Sequence, residues 1–248
     1  MQVNLFGGFE VWLDSARILT LPKKIEALLA YLALNIGRSQ MRDKLAALLW
    51  GDTGDIQARN SLRQAFFVLR RKFAATASTT APILLTAGET VALNPAAVDV
   101  DAVKFQLLIA EGTPNELQRA VNLYTGDLLE GLNVTESPFE QWLMAQRERL
   151  RELATDALRQ LLDFHMRTVS SEAAIQTAVQ LLALDPLQEA VHRCLMRLYA
   201  EQERWGAVQR QYRVCLETLR RELDAPPAPE TTKLWQDILQ RHKKICES

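Results

Sequence analysis

Cysteine is scarce in this 248-residue chain: Cys194, Cys215 and Cys246 are the whole supply. They are far apart, odd in number and form no Cys-x-x-Cys pair, which excludes a disulfide framework and fits a reducing cytosol. Histidine is as sparse, with His165, His192 and His242 near no ligand set. His192 and Cys194 are two positions apart, so a helix turns them to different faces, and no metal site is expected. Long apolar runs are missing too. The longest, Ile25–Ile36, is interrupted by Glu26 and is too short to span a bilayer. The N-terminus has no basic segment followed by an apolar core, so no signal peptide is expected. There is also no Gly-rich phosphate loop and no Ser/His/Asp or Cys/His arrangement with supporting context. No catalytic residue, metal or cofactor is therefore expected.

A large charge of either sign is absent as well. The net charge is −1, so the chain as a whole is no polyelectrolyte, and 48% hydrophobic with 24% charged residues is ordinary for a soluble globular protein. The distribution says more. Residues 1–100 carry a net +3 and residues 101–248 a net −4. Between Ala74 and Val103 there is no Lys or Arg at all. The positive charge of the first half is instead concentrated in one stretch, Asp55–Phe73.

That stretch reads DIQARNSLRQAFFVLRRKF. Leu62, Phe66, Leu69 and Phe73 fall at i, i+4, i+7 and i+11, one apolar stripe on a helix. From Ile56 to Phe73 there are five basic residues and no acidic one. Arginine forks pair with phosphate or guanine edges, and Asn or Gln amides match adenine. Entry into a DNA groove is one use for such a helix, and a merely solvated charged face is the other; the stretch alone leaves both open.

Its surroundings narrow the choice. Val3–Phe6 and Phe9–Leu13 are short β-branched and aromatic runs around Gly7-Gly8, which reads as a hairpin, and Arg17–Leu19 is a candidate third strand. Pro22 opens a helix with Ile25, Leu28, Leu29, Leu32 and Ile36 at helical spacing up to Gly37. Ser39 or Gln40 is placed to cap a second helix, with Met41, Leu45, Leu48 and Leu49 as its stripe and Trp50 at its end. The Arg-rich helix follows. Ala74–Pro82 reads as a loop, and Ile83–Thr86 with Val91–Leu93 as two strands around Ala87-Gly88-Glu89. Strands, three helices and a hairpin make a winged-helix layout.

LFGGFEV, PKKIEALLAYLAL, RDKLAALLW and ARNSLRQAFFVLRRKF together resemble the winged-helix domain of the OmpR/PhoB kind. More narrowly they resemble the version in the Streptomyces antibiotic regulatory protein (SARP)/AfsR family. The resemblance covers residues 1–100 and implies that the third helix reads the major groove while the hairpin wing touches the neighbouring minor groove. Carried onto this sequence, it implies that Asn60, Arg63, Gln64 and Phe67 face base edges and that Arg59, Arg70 and Arg71 hold phosphates. For Arg71 and Lys72 a solvated helix end is the alternative. Lys23, Lys24 and Arg42, near helix N-termini, suit backbone phosphates or plain surface duty. Phe67 stands where relatives often have a basic side chain; it suits either a thymine methyl or simple packing. The wing, without Lys or Arg, departs from the family and shifts the work of binding to the third helix.

Beyond Val98–Asp101, read as a link, the pattern is helical to the end. Pro114 opens a helix with Leu117, Ala120, Val121 and Tyr124 on one face. Gly126–Val134 reads as a loop, and Ser137-Pro138-Phe139-Glu140 as a capping box starting a helix to about Thr168. Ala174/Ala207, Ile175/Val208 and Val179/Tyr212 pair at an offset of 33, with Leu195, Leu198 and Tyr199 on a helix between them. That spacing reads as tetratricopeptide-like units. Pro226, Pro227 and Pro229 precede a last helix, Glu230–Arg241, that would cap the stack. FEQWL.AQRERLREL, LLALDPLQEAVHRCLMRLYA and QYRVCLETLRREL resemble the bacterial transcriptional activator domain of the same family, an interaction module.

The expected fold is mainly α: a winged helix-turn-helix of small sheets around three helices over residues 1–97, then an all-α tetratricopeptide-like domain over 98–248. The expected function is non-enzymatic, a cytoplasmic, sequence-specific transcriptional activator. Its implied partners are double-stranded promoter DNA through Arg59, Asn60, Arg63, Gln64, Phe67, Arg70 and Arg71, RNA polymerase, and further copies of itself, with no membrane. Two alternatives stay open: a regulatory module of a larger signalling protein, and a helical-repeat scaffold that does not bind DNA. A stand-alone form and the N-terminal part of something longer fit the sequence equally.

Overall fold

The computed structural model describes residues 1–13, 16–17, 21–76, 81–168 and 170–246. They form two compact units, Met1–Leu153 and Ala154–Ser248, with the boundary inside one long helix.

In the first unit, buried Val11 and Leu13 alternate with half-covered Glu10 and Trp12, the period of a strand with one covered face. β1 (Gln2–Asn4) and β2 (Glu10–Leu13) pair antiparallel with Val3 opposite Val11. β3 (Ala16–Arg17) extends the hairpin; the rest of the third strand expected there lies outside the described residues. α1 (Lys23–Leu34) starts one residue later than Pro22 suggests. Pro22 is the cap, its carbonyl accepting from the Ile25 and Glu26 N–H groups. α1 buries Ile25, Leu28, Leu29 and Leu32.

β4 (Gln40–Met41) then leads into α2 (Arg42–Trp50), and α3 runs from Asp55 to Thr76. The wing is β5 (Leu84–Ala87) and β6 (Thr90–Leu93), turning at Gly88, whose φ of +54° suits glycine. The expected cap at Ser39 or Gln40 does not form, because Gln40 is buried and paired with Val91 across β4 and β6. Met41 is correspondingly 53% exposed and stands outside the stripe of α2, which is Leu45, Ala46, Leu49 and Trp50. The wing sheet has the order β4-β6-β5. A three-helix core between two small sheets is a winged helix.

The link expected at Val98–Asp101 is in fact a strand. β7 (Asp99–Val100) lies parallel to β1 and completes the first sheet in the order β3-β2-β1-β7. Buried Val98 and Val100 supply the apolar reason. α4 (Asp101–Glu111) and α5 (Pro114–Leu123) pack on each other, with Thr113 capping α5 by accepting from the Glu116 N–H. The rings of Phe6, Phe105 and Tyr124 meet at 4.9–5.8 Å.

α6 (Ser137–Arg167) opens without the expected capping box. The Glu136 carbonyl accepts from Phe139 and Glu140, and Ser137 sits inside the first turn. Two arginines of α6 anchor the preceding loop. Arg147 donates to the carbonyls of Leu128 and Leu129 at 2.7 and 2.8 Å, and Arg151 donates to Asp127 at 2.6 Å. Tyr124 also donates to Asp127, and burial together with that carboxylate pushes its phenol up to about 12.

The second unit holds the end of α6, then α7 (Ser171–Leu184), α8 (Glu189–Glu201), α9 (Trp205–Leu223) and α10 (Pro229–Cys246). α8 packs against α7, α9 and α10. Ala174, Ile175, Ala207 and Val208 are buried at matching places on α7 and α9, as the repeat requires, whereas Val179 is 49% exposed. Tyr212, its counterpart, instead stacks on Trp235 of α10 with ring centroids 4.7 Å apart. Glu189 ties the start of α10, accepting from the Ala228 N–H at 2.9 Å and the Thr231 hydroxyl at 2.6 Å.

His192 is almost wholly buried between α8 and α9. Gln211 donates to its Nδ1 at 2.6 Å and its Nε2–H donates to the Pro186 carbonyl at 3.0 Å, which selects the neutral tautomer. Burial holds its pKa below the ordinary 6.5. Below that pH the unfolded chain binds a proton that the folded chain refuses. Stability should therefore fall as pH drops from about 6.5 toward the folded value, by up to about 1.4 kcal/mol per pH unit. Urea unfolding at stepped pH checks this, with His192→Gln flattening that part of the profile. Identical profiles for the two proteins would refute it.

Candidate nucleic-acid interface

The helix-turn-helix is set by a short, tightly bonded turn. The Thr53 N–H and hydroxyl both donate to the Trp50 carbonyl, at 3.1 and 2.8 Å, and Ala58 N–H donates to Gly54 at 3.0 Å. A Cβ at Gly51 would stand 2.6 Å from the Ala47 carbonyl oxygen, so the exit from α2 needs glycine. Asp55 then lies in the first turn of α3, where a carboxylate complements the helix dipole.

Burial divides α3 cleanly. Leu62, Phe66, Leu69 and Phe73 are buried together with Ala58 and Ala65. Arg59, Asn60, Arg63, Gln64, Phe67, Arg70 and Arg71 are all exposed, so the structure brings every one of the expected residues onto solvent-facing positions of one helix. Phe67 is 66% exposed, which rules out its packing alternative. Because α3 continues to Thr76, Arg71 and Lys72 stand a turn before its end.

The arginines are not equivalent. Arg59 makes a two-pronged ion pair across to α2, Nε and Nη2 donating to the two carboxylate oxygens of Asp43 at 2.9 and 3.0 Å. Both side chains remain over 60% exposed, so the pair is worth little stability but fixes the fork. Arg63 donates to the Asn60 side-chain oxygen at 3.2 Å. Arg70 and Arg71 meet no carboxylate among the described residues. The fork of Arg59 and that of Arg63 border a cleft that Arg42, Asp43, Leu62, Phe66 and Glu89 complete.

Three further cations fare differently. Lys24 pairs with the buried carboxylate of Glu136 and lies over the Trp50 ring, so it serves the fold. Lys23 pairs with Glu26 at 3.1 Å. Arg42 is half-buried, with its Nε meeting no hydrogen-bond partner among the described residues, and its backbone N–H donates to the Glu89 carbonyl at 2.9 Å, which joins the wing to the start of α2. Sequence reasoning missed Asp43, Glu89 and the 81% exposed Ile56 at the start of α3. No local pattern connects Asp43 with Arg59; they meet only because α2 and α3 cross.

A family model described as the bacterial transcriptional activator domain matches residues 107–239. The chain belongs to this bacterial transcriptional activator domain family. The activator domain starts on α4 in the first unit and ends on α10 in the second, and with the winged helix it gives the SARP-type arrangement. In fold the chain is similar to Mycobacterium tuberculosis EmbR, whose structure was solved in complex with a low affinity phosphopeptide. The TM-score is 0.65 at 21% identity, covering 97% of this chain. This chain spans 65% of the length of that protein. Comparison with curated proteins returned no match. No described helix is long and apolar enough to cross a membrane.

Proposed function

We propose that this protein is a sequence-specific DNA-binding activator, with α3 in the major groove of promoter DNA. The observation that carries the reading is the division of α3. Its apolar stripe is locked inward while a row of guanidinium and amide groups faces solvent with no acidic residue among them. In this reading Asn60, Arg63, Gln64 and Phe67 contact base edges, and Arg59, Arg70 and Arg71 contact phosphates, which position without specifying. Phe67 offers an apolar surface to a thymine methyl. The wing tip carries Glu89 and no cation, so α3 supplies most of the affinity. The activator domain recruits RNA polymerase or joins protomers, and the protein works in the cytoplasm.

Selection of bound fragments from genomic DNA, followed by binding at stepped salt, tests this. A defined motif should emerge, with affinity falling steeply as salt rises, because each neutralised phosphate releases counterion. Arg63→Ala should cost roughly 1–3 kcal/mol at one base step and relax preference there, whereas Arg70→Ala should weaken all sequences alike. A selection that enriches no motif, with binding indifferent to salt, would overturn the reading.

A further inference from the structure

The first unit contains a second cationic feature, away from α3. A cavity of about 470 Å³ opens between the end of α1, α4 and α6, lined by Arg38, Gln106, Leu107, Trp142, Gln146 and Arg149 among others. Three properties set it apart. Its charged lining consists of two arginines, with no carboxylate among the described residues that line it. Arg149 is held in place by neutral acceptors: Nη2 donates to the Gln106 side-chain oxygen at 2.8 Å and to that of Gln146 at 3.2 Å. Gln106 is itself fixed, its amide donating to the Ala102 carbonyl at 2.9 Å. The neighbouring arginines of α6 are spent on structure, Arg147 on two carbonyls and Arg151 on a carboxylate. Arg149 is thus oriented without being neutralised, and Arg38 meets no carboxylate among the described residues. The third property is the apolar part of the lining. Leu107 is 62% exposed, a large uncovered side chain, and Trp142 is braced by Tyr31 and Phe139 at 4.9 and 5.3 Å between ring centroids.

An oriented guanidinium, a second one without a counterion, and an aromatic wall suit a ligand with an anionic head and an apolar body. The volume is in the range of small-molecule sites. We propose that this cavity binds a small organic acid, its carboxylate paired with Arg149 and Arg38 and its apolar body against Trp142 and Leu107. The site is separate from α3, so it stands or falls independently of DNA binding.

The test uses the full chain and two probes of one shape, 3-phenylpropionate and its uncharged analogue 3-phenylpropionamide, titrated by calorimetry and by saturation-transfer NMR. The acid should bind saturably and at least about tenfold more tightly than the amide, the weight of one charge-assisted hydrogen bond or more. Arg149→Gln and Arg38→Gln should each remove most of that difference, and Arg149→Lys should recover part of it. The melting temperature of each variant, and its DNA binding, should stay at the wild-type value. Equal binding of acid and amide, undiminished binding by both Gln variants, or no saturation of the wild type would overturn the proposal. So would binding of an acidic peptide with none of the small acid.

Discussion

Replacing Arg59, Arg63, Arg70 and Arg71 together by alanine should abolish promoter binding while leaving the fold intact. All four are exposed, so their removal opens no cavity, and alanine is at least as good a helix former as arginine. The electrostatic loss is large. If three or four phosphate or base contacts disappear, the slope of log affinity against log salt should flatten by about 3, and affinity at moderate salt should fall by about a thousandfold or more. Circular dichroism and thermal melting establish that the variant folds; fluorescence anisotropy with a selected fragment at several salt concentrations gives the slope. Wild-type affinity in the quadruple variant would remove α3 from the DNA.

Asp43 makes that experiment sharper. Its carboxylate holds the fork of Arg59 by two hydrogen bonds on the surface that would meet DNA. Losing Arg59 alone leaves Asp43 uncompensated near the phosphates, so the single variant should lose more than one contact. Asp43→Asn works in the opposite sense. It deletes a negative charge and frees the guanidinium, so binding should tighten alike for promoter and unrelated sequences, because a phosphate contact positions without specifying. Unchanged affinity in Asp43→Asn would place the Arg59 fork away from the DNA.

Much of this was legible in the residues, for a local reason. The stripe Leu62, Phe66, Leu69 and Phe73 has a period that only a helix satisfies, and its burial turns the intervening Arg, Asn and Gln outward. Gly88 in the wing and Pro114 at α5 are likewise signals carried by single positions. What stayed hidden depends on pairing across distance. β4 and β7 are two residues each, too short to show alternation, and exist because β6 and β1 offer them a free edge. Met41 looks like a core residue in a helical frame and becomes exposed once Gln40 takes the strand position facing Val91. The pairing of Lys24 with Glu136 spans over a hundred residues, so a lysine that reads as either a phosphate contact or a plain surface charge turns out to neutralise a buried acid. Helical period fixes which face a side chain occupies; it says nothing about which charge waits opposite.

Asp101 shows the same long reach and carries the largest stability effect expected from one polar substitution. Its carboxylate accepts from the Leu5 N–H at 2.8 and 2.9 Å, from Phe6 at 3.0 Å and from Ala102 at 2.6 Å. Leu5 and Phe6 are buried where β1 ends, and their amides find this acceptor 95 residues and more along the chain. Burial pushes the Asp101 carboxyl above its ordinary range even though the three backbone donors pull it down. Asp101→Ala leaves the N–H groups of three buried residues, Leu5, Phe6 and Ala102, without this acceptor, each costing about 1–3 kcal/mol, so the first unit should lose at least about 3 kcal/mol. Asp101→Asn keeps one acceptor oxygen and should lose about half of that. Urea unfolding followed by Trp fluorescence measures the totals, and hydrogen exchange at Leu5 and Phe6 locates them. The amides of α3 should keep their protection under native conditions, since its buried stripe does not touch this junction through any bond to Asp101. If Asp101→Ala melts like the wild type and Leu5 stays protected, the carboxylate is not what ties β1 to the start of α4.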